Sequence, residues 1–202
     1  MSTRSPRSSL RSLMALAATQ GGYFTAQQAG RLGYLAPHLS YHTTTGNLER
    51  AGHGLYRIST LPHSEYGDLI RLWLWSRARD DRPQAVCSHH TALAMHELSE
   101  AIPSLIHLTV PLGFRKRAPR GCTLHIGHVA HHEMQAFDAV PATTPLRTLR
   151  DLAADPTLPA EQFVRAARAA QKRGMITVSG LRSLLAQRDK MPPVFRRPGR
   201  AR

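Results

Sequence analysis

Leu10, Leu13, Met14 and Ala17 recur at intervals of three and four, the spacing of one helical face, so an amphipathic helix is expected from Pro6 or Arg7 to just before Gly21-Gly22. Next, Thr25 followed three residues later by Gln28 forms a T-x-x-Q capping box, in which hydroxyl and amide satisfy the free backbone donors of a first turn. The helix it starts, Ala26 to about Arg31, stops at Gly33, and Phe24 is placed to staple onto Ala29. Pro37, pre-set in φ, fits the first turn of a second short helix that reaches about Thr45, although apolar Leu35 stands where a polar cap is usual. Gly52-His53-Gly54 then separates two strand-like runs, Asn47–Arg50 and Leu55–Ser59, and so predicts a hairpin.

Helix, helix, tight turn, helix and hairpin in this order is the layout of a winged helix-turn-helix. At 100° per residue, Leu39 and Thr43 share the inner face of the second short helix, with Ser40, Tyr41, Thr44 and Thr45 outside and His38 at the edge. That outer face has donors, acceptors and methyls but no acid, as reading of base edges in a DNA major groove requires. His38, Ser40, Tyr41, Thr44 and Thr45 are therefore the candidate base-reading residues, and Arg50, His53 and Arg57 the candidate phosphate contacts of the wing.

Beyond Leu61-Pro62 the pattern changes. Tyr66, Leu69, Ile70, Trp73 and Leu74 mark a helix to about Arg79, with Ser64 as a candidate cap; Ala85–Cys87 reads as a short strand and His89 to about Glu97 as a helix. Ile106, Leu108 and Val110 alternate with polar residues, a second such run covers Thr123–Val129, and the basic stretch Arg115–Arg120 between them predicts the exposed tip of a hairpin. Helices follow from Thr144-Pro145, from Pro159 to about Arg173, and from Ser179. The expected fold class is α+β: a winged helix-turn-helix (residues 1–61), a mixed α/β domain (62–187) and a flexible basic tail (188–202), with residues 1 to about 6 also unstructured.

Net charge sharpens this picture. The chain carries 27 Lys and Arg against 13 Asp and Glu, a formal +14, and so favours anionic partners. Residues 1–60 hold six basic side chains to one acid, residues 61–152 ten to nine, and residues 153–202 eleven to three. Basic charge thus sits at the two ends, and Arg115, Lys116, Arg117, Arg196 and Arg197 are candidates for further phosphate contacts. Cys87 and Cys122 have no C-x-x-C spacing, so no disulfide framework or cysteine-zinc site is expected and a reducing cytoplasm fits. The opening stretch reads as a helix rather than a signal peptide, and no apolar run approaches a membrane span.

Catalytic signals are lacking. His125, His128, His131 and His132 with Glu133 do not have H-E-x-x-H spacing, nor does His96-Glu97, and phosphate-loop, dinucleotide and hydrolase motifs are missing. Asp138, Asp151 and Asp155 are scattered, without the clustered acids of a metal-dependent nuclease, and Arg147 and Arg150 read as a solvated helix face. No enzyme activity, catalytic residue, cofactor or metal is expected.

LAATQGGYFTAQQAGRLGY followed by GNLERAGHGLYRI resembles the N-terminal domain of the AbiEi family of antitoxins and transcriptional regulators of type IV toxin–antitoxin systems. CSHHTALAMHEL, IHLTVP and VPATTPLRTLRDLA resemble the blocks that follow it there, so the resemblance spans roughly Leu10 to Ala153. It implies repression of the protein's own operon through inverted repeats of promoter DNA. It also implies that the second domain counters a co-encoded nucleotidyltransferase toxin of the AbiEii type. Two alternatives stay open: a winged-helix regulator without a toxin partner, and the remnant of a DNA-processing nuclease, a reading weakened because this chain ends without a nuclease domain.

Overall fold

The computed structural model describes residues 6–100 and 103–190. Residues 1–5, and the tail from residue 191 with Arg196 and Arg197, lie outside the described residues.

Helix α1 (Pro6–Ala18) and strand β1 (Tyr23–Thr25) lead into α2 (Ala26–Arg31), α3 (Ala36–Thr44) and the hairpin of β2 (Leu48–Gly52) and β3 (Leu55–Ile58). β1 and β2 flank β3, both antiparallel to it. The capping box at α2 is present as its sequence predicts: Gln28 N donates to Thr25 Oγ1 (3.0 Å) and Thr25 N to Gln28 Oε1 (2.8 Å). Leu13, Ala17, Phe24, Ala29, Leu39, Leu48 and Ile58 close a core between α1, the two short helices and the small sheet. This is the winged helix-turn-helix.

The second part begins with α4 (Gly67–Trp75), then β4 (Val86–Cys87), α5 (His89–Met95), β5 (Ile106–Val110) and β6 (Cys122–Ile126). A 3₁₀ turn (His131–Glu133), β7 (Met134–Phe137), β8 (Val140–Thr143), α6 (Pro145–Ala153), α7 (Ala160–Lys172) and α8 (Val178–Asp189) complete it. Its mixed sheet has the order β6-β5-β4-β8-β7. α4 stops at Trp75 rather than Arg79 because buried Ser76 turns the chain: its Oγ donates to Trp73 O (2.6 Å) and accepts from Gln84 N and Ala85 N (2.9 Å each). Ser64 does not cap α4; its Oγ accepts from Tyr66 N (3.1 Å), before the helix begins.

One expectation fails outright. β5 and β6 are parallel, from Ile106↔Cys122 to Val110↔Ile126, so the basic stretch between them is a crossover and not a hairpin tip. The cause is its anchorage across α4, where Phe114 packs edge-on against Trp75 (centroids 5.7 Å apart) and Lys116 Nζ donates to Trp75 O (2.6 Å). β7 and β8 had no signal because Met134–Phe137 and Val140–Thr143 do not alternate cleanly; they are set by pairing with each other and, at Ala142, with Cys87.

α8 also runs on through Arg188 and Asp189, into the segment read as tail. Arg188 holds it there, donating to Leu152 O, Ala153 O and Asp155 O at the end of α6 and to Leu158 O (2.5 Å), with its guanidinium 5.5 Å from the Phe163 ring centroid. Packed between these helices are Leu93, Leu149, Leu152, Phe163, Ala167 and Leu184. The central core joins Ile70, Leu72 and Leu74 of α4 to Leu108, Val110, Val140 and Ala142 of the sheet, and includes Tyr23 and Leu55 of the winged part. The two parts therefore share apolar packing.

Candidate nucleic-acid interface

α3 is seated by Leu39, which is buried, and its opposite face is open. Ser40, Thr44 and Thr45 are exposed, and Tyr41 is 64% exposed, unusual for so large a ring. The missing polar cap at Leu35 is replaced from within the helix: Leu35 N donates to His38 Nδ1 (3.1 Å). With Nδ1 accepting, a neutral His38 ring carries its proton on Nε2, which leaves a donor for a ligand.

The threonine hydroxyls are partly committed. Thr43, Thr44 and Thr45 each donate to the carbonyl four residues back, Leu39 O (2.7 Å), Ser40 O (3.1 Å) and Tyr41 O (3.1 Å). Thr44 thus offers an acceptor oxygen and a methyl rather than a donor. Thr45 Oγ1 also accepts from Asn47 Nδ2 (3.0 Å) and so helps end the helix. Behind this face Tyr34, not singled out by the sequence, packs its ring against His38 (5.6 Å) and His42 (5.8 Å) and braces both.

The wing separates its three predicted contacts. Arg50 and the His53 side chain are exposed. Arg57 is not: its side chain is 2% exposed, Nη2 donates to Leu61 O (2.5 Å), and Nη1 lies 3.5 Å from Glu49. It is a structural arginine, turned inward because its strand position faces Gly22, where an added Cβ would lie 3.5 Å from Arg57 Cγ. The wing tip rests on the end of α4: Arg77 Nη2 donates to His53 O (2.8 Å) and Gly54 O (3.2 Å). Gly54 has φ +59°, and a Cβ there would sit 3.1 Å from Arg77 Nη2, so glycine is required.

In the crossover, Arg115, Lys116, Arg117 and Arg120 are all exposed, but Lys116 also lies 5.8 Å from the Trp75 ring centroid and donates to its carbonyl; burial, then Arg77, lowers its pKa. Lys116 thus anchors the loop through one of its three donors. Pro119 of the loop and Ala51, Gly52 and His53 of the wing line one shallow cavity, so the basic crossover adjoins the wing.

Most of the histidines flagged in the sequence separate. His128, His131 and His132 are exposed, while half-buried His125 joins His89, His90 and His107 against the sheet: His107 Nδ1 lies 3.0 Å from His125 Nε2, and His89 stacks on His125 at 3.5 Å. Desolvation, then the neighbouring rings, lowers His89 to about 3 and His107 to about 4. Among the described residues no group of three or more His, Cys, Asp or Glu is arranged to hold a metal. Arg147, read as solvated, is tied to Glu133, to Asp151 (2.9 Å) and to His128 O (3.1 Å). Among the described residues no helix is long and apolar enough to cross a membrane.

α1, the short-helix pair and the hairpin define a winged helix-turn-helix of the kind found in transcriptional regulators. Residues 11–59, from α1 to just past β3, match the family model described as transcriptional regulator, AbiEi antitoxin, the family that the sequence motifs resemble. No curated protein matches the chain. Among solved structures, the crystal structure of the RV2827C protein from Mycobacterium tuberculosis is similar at 16% identity and a TM-score of 0.46, over 93% of this chain and 83% of that one.

Proposed function

We propose that the chain is a sequence-specific DNA-binding regulator that inserts α3 into the major groove of promoter inverted repeats and represses its own operon. The observation that carries this reading is the open, acid-free face of α3 within a segment that matches a transcriptional-regulator family. His38 Nε2–H, the Tyr41 hydroxyl, Ser40 and the Thr44 oxygen and methyl supply the base-edge chemistry, with Thr45 a lesser contributor. Arg50 and His53 hold phosphates beside the wing, and Arg115 and Arg117 extend the contact. The protein needs no catalytic group or cofactor for this role. As an antitoxin, it counters a co-encoded nucleotidyltransferase toxin of the AbiEii type.

Binding of DNA from upstream of the gene, followed by fluorescence anisotropy, tests the first part. The Tyr41→Ala/Thr44→Ala variant is expected to lose preference for that DNA, and an unchanged preference rejects α3 as the reading helix. Growth rescue of cells expressing a neighbouring toxin gene tests the second part, and failure of rescue removes the antitoxin role while leaving the regulator.

A further inference from the structure

The turn after α4 reaches back to both working parts of the winged helix. Thr25 Oγ1, fully buried, accepts from Gln28 N, so its one hydrogen must go elsewhere, and it goes to Asp81 Oδ2 at 2.7 Å. The Asp81 side chain is 1% exposed and its backbone is held at φ +70°. Its other oxygen lies 3.3 Å from Arg77 Nε, and Arg31 at the end of α2 approaches to 3.7 Å. The same Arg77 guanidinium donates to His53 O and Gly54 O at the wing tip and to Leu74 O (2.9 Å) in α4. Gly54 O also accepts from Ala26 N (2.9 Å), the first residue of α2. The start of α2, the tip of the wing and the end of α4 thus meet at one charged, largely dry junction.

From this junction we infer that Asp81 and Arg77 are positioning residues that set the wing against the helix-turn-helix, making the second domain part of the DNA-binding unit. The inference rests on the DNA-binding reading above. A short turn joins α2 to α3, so fixing α2 fixes the pose of α3, and Arg77 fixes the wing from the same point. Tyr23 and Leu55, packed in one core with Ile70, Leu72 and Leu74, hold the junction closed from below. A ligand or partner that moves the end of α4 acquires a direct mechanical route to the wing, through side chains with defined partners.

The test uses the full chain with Asp81→Ala, Arg77→Met, the pair together, and Phe163→Leu, which loosens the C-terminal helical core without touching the junction. Well below the melting temperature, each junction variant is expected to weaken binding to upstream DNA at least about fivefold. The double variant should lose no more than the worse single one, because both break one device. Phe163→Leu should lower the melting temperature and leave binding unchanged. Hydrogen exchange without DNA should show faster exchange at Ala26 and Gln28 in the junction variants only. Unchanged affinity in a folded Asp81→Ala protein, or losses that simply add, overturns the proposal. If the wild-type chain ignores upstream DNA, the DNA reading fails by itself, while unaltered exchange at Ala26 and Gln28 would still refute the junction.

Discussion

Arg50 and Arg57 lie on adjacent strands of the wing, and only burial separates their roles. Replacing Arg57 with alanine removes two buried methylenes, worth about 0.8 kcal/mol each, and the donor to Leu61 O, worth about 1–2 kcal/mol. Glu49 is 55% exposed and stays hydrated, so no buried charge is stranded. The sum is about 3 kcal/mol, a fall in melting temperature of about 6–12 °C for a chain of this length. Arg57→Met keeps the packing and should cost only about 1–2 kcal/mol. Neither change should alter the salt dependence of DNA binding. Arg50→Ala should do the reverse, leaving the melting temperature nearly untouched and flattening the slope of log K against log salt by about 0.9. Thermal melts and binding titrations at several salt concentrations read both quantities. A stable Arg57→Met protein with a reduced salt slope would refute the assignment of Arg57 to structure.

Other consequences can be checked together. Tyr41→Ala and Thr44→Ala should each weaken upstream DNA by about 1–3 kcal/mol and spare a random duplex; equal losses on both would mean that α3 is oriented differently on DNA. Arg188→Ala strips its donors from the α6 carbonyls and from Leu158 O, and should lower stability by about 2–4 kcal/mol in chemical denaturation. An unchanged denaturation midpoint would place Arg188 in a loose tail after all. For the histidine cluster, folding lowers the pKa of His89 and His107 below the unfolded value of 6.5, so the unfolded chain binds more protons on acidification. Their contribution is fully present above pH 6.5 and is lost as pH falls toward their folded values of about 3 and about 4. The urea midpoint should drop between pH 7 and 5, and His107→Gln should make that drop shallower; an equally steep drop in the variant would exonerate the cluster.

Local signals carried most of the winged part. The Thr25–Gln28 box, Pro37 and the paired glycines act within a few residues, so their consequences are written where they act. Arg57 was misplaced because a strand residue beside a charged neighbour looks solvent-facing until Gly22 and Leu61 close over it. Likewise, alternation predicted strands at β5 and β6 but not their relative direction, which depends on Phe114 and Lys116 finding Trp75 across the chain. Asp81 gave no sign of its importance. Its partners Thr25, Arg31 and Arg77 come from distant segments, and only folding brings them together.

The most direct measurement is binding of the full chain to DNA from upstream of its own gene, beside a random duplex of the same length, across a salt series. The account predicts tighter binding to the upstream DNA, with the preference persisting as salt weakens both by displacing phosphate contacts. Equal binding to the two, vanishing together as salt rises, would contradict it and reduce the interaction to the chain's charge of +14.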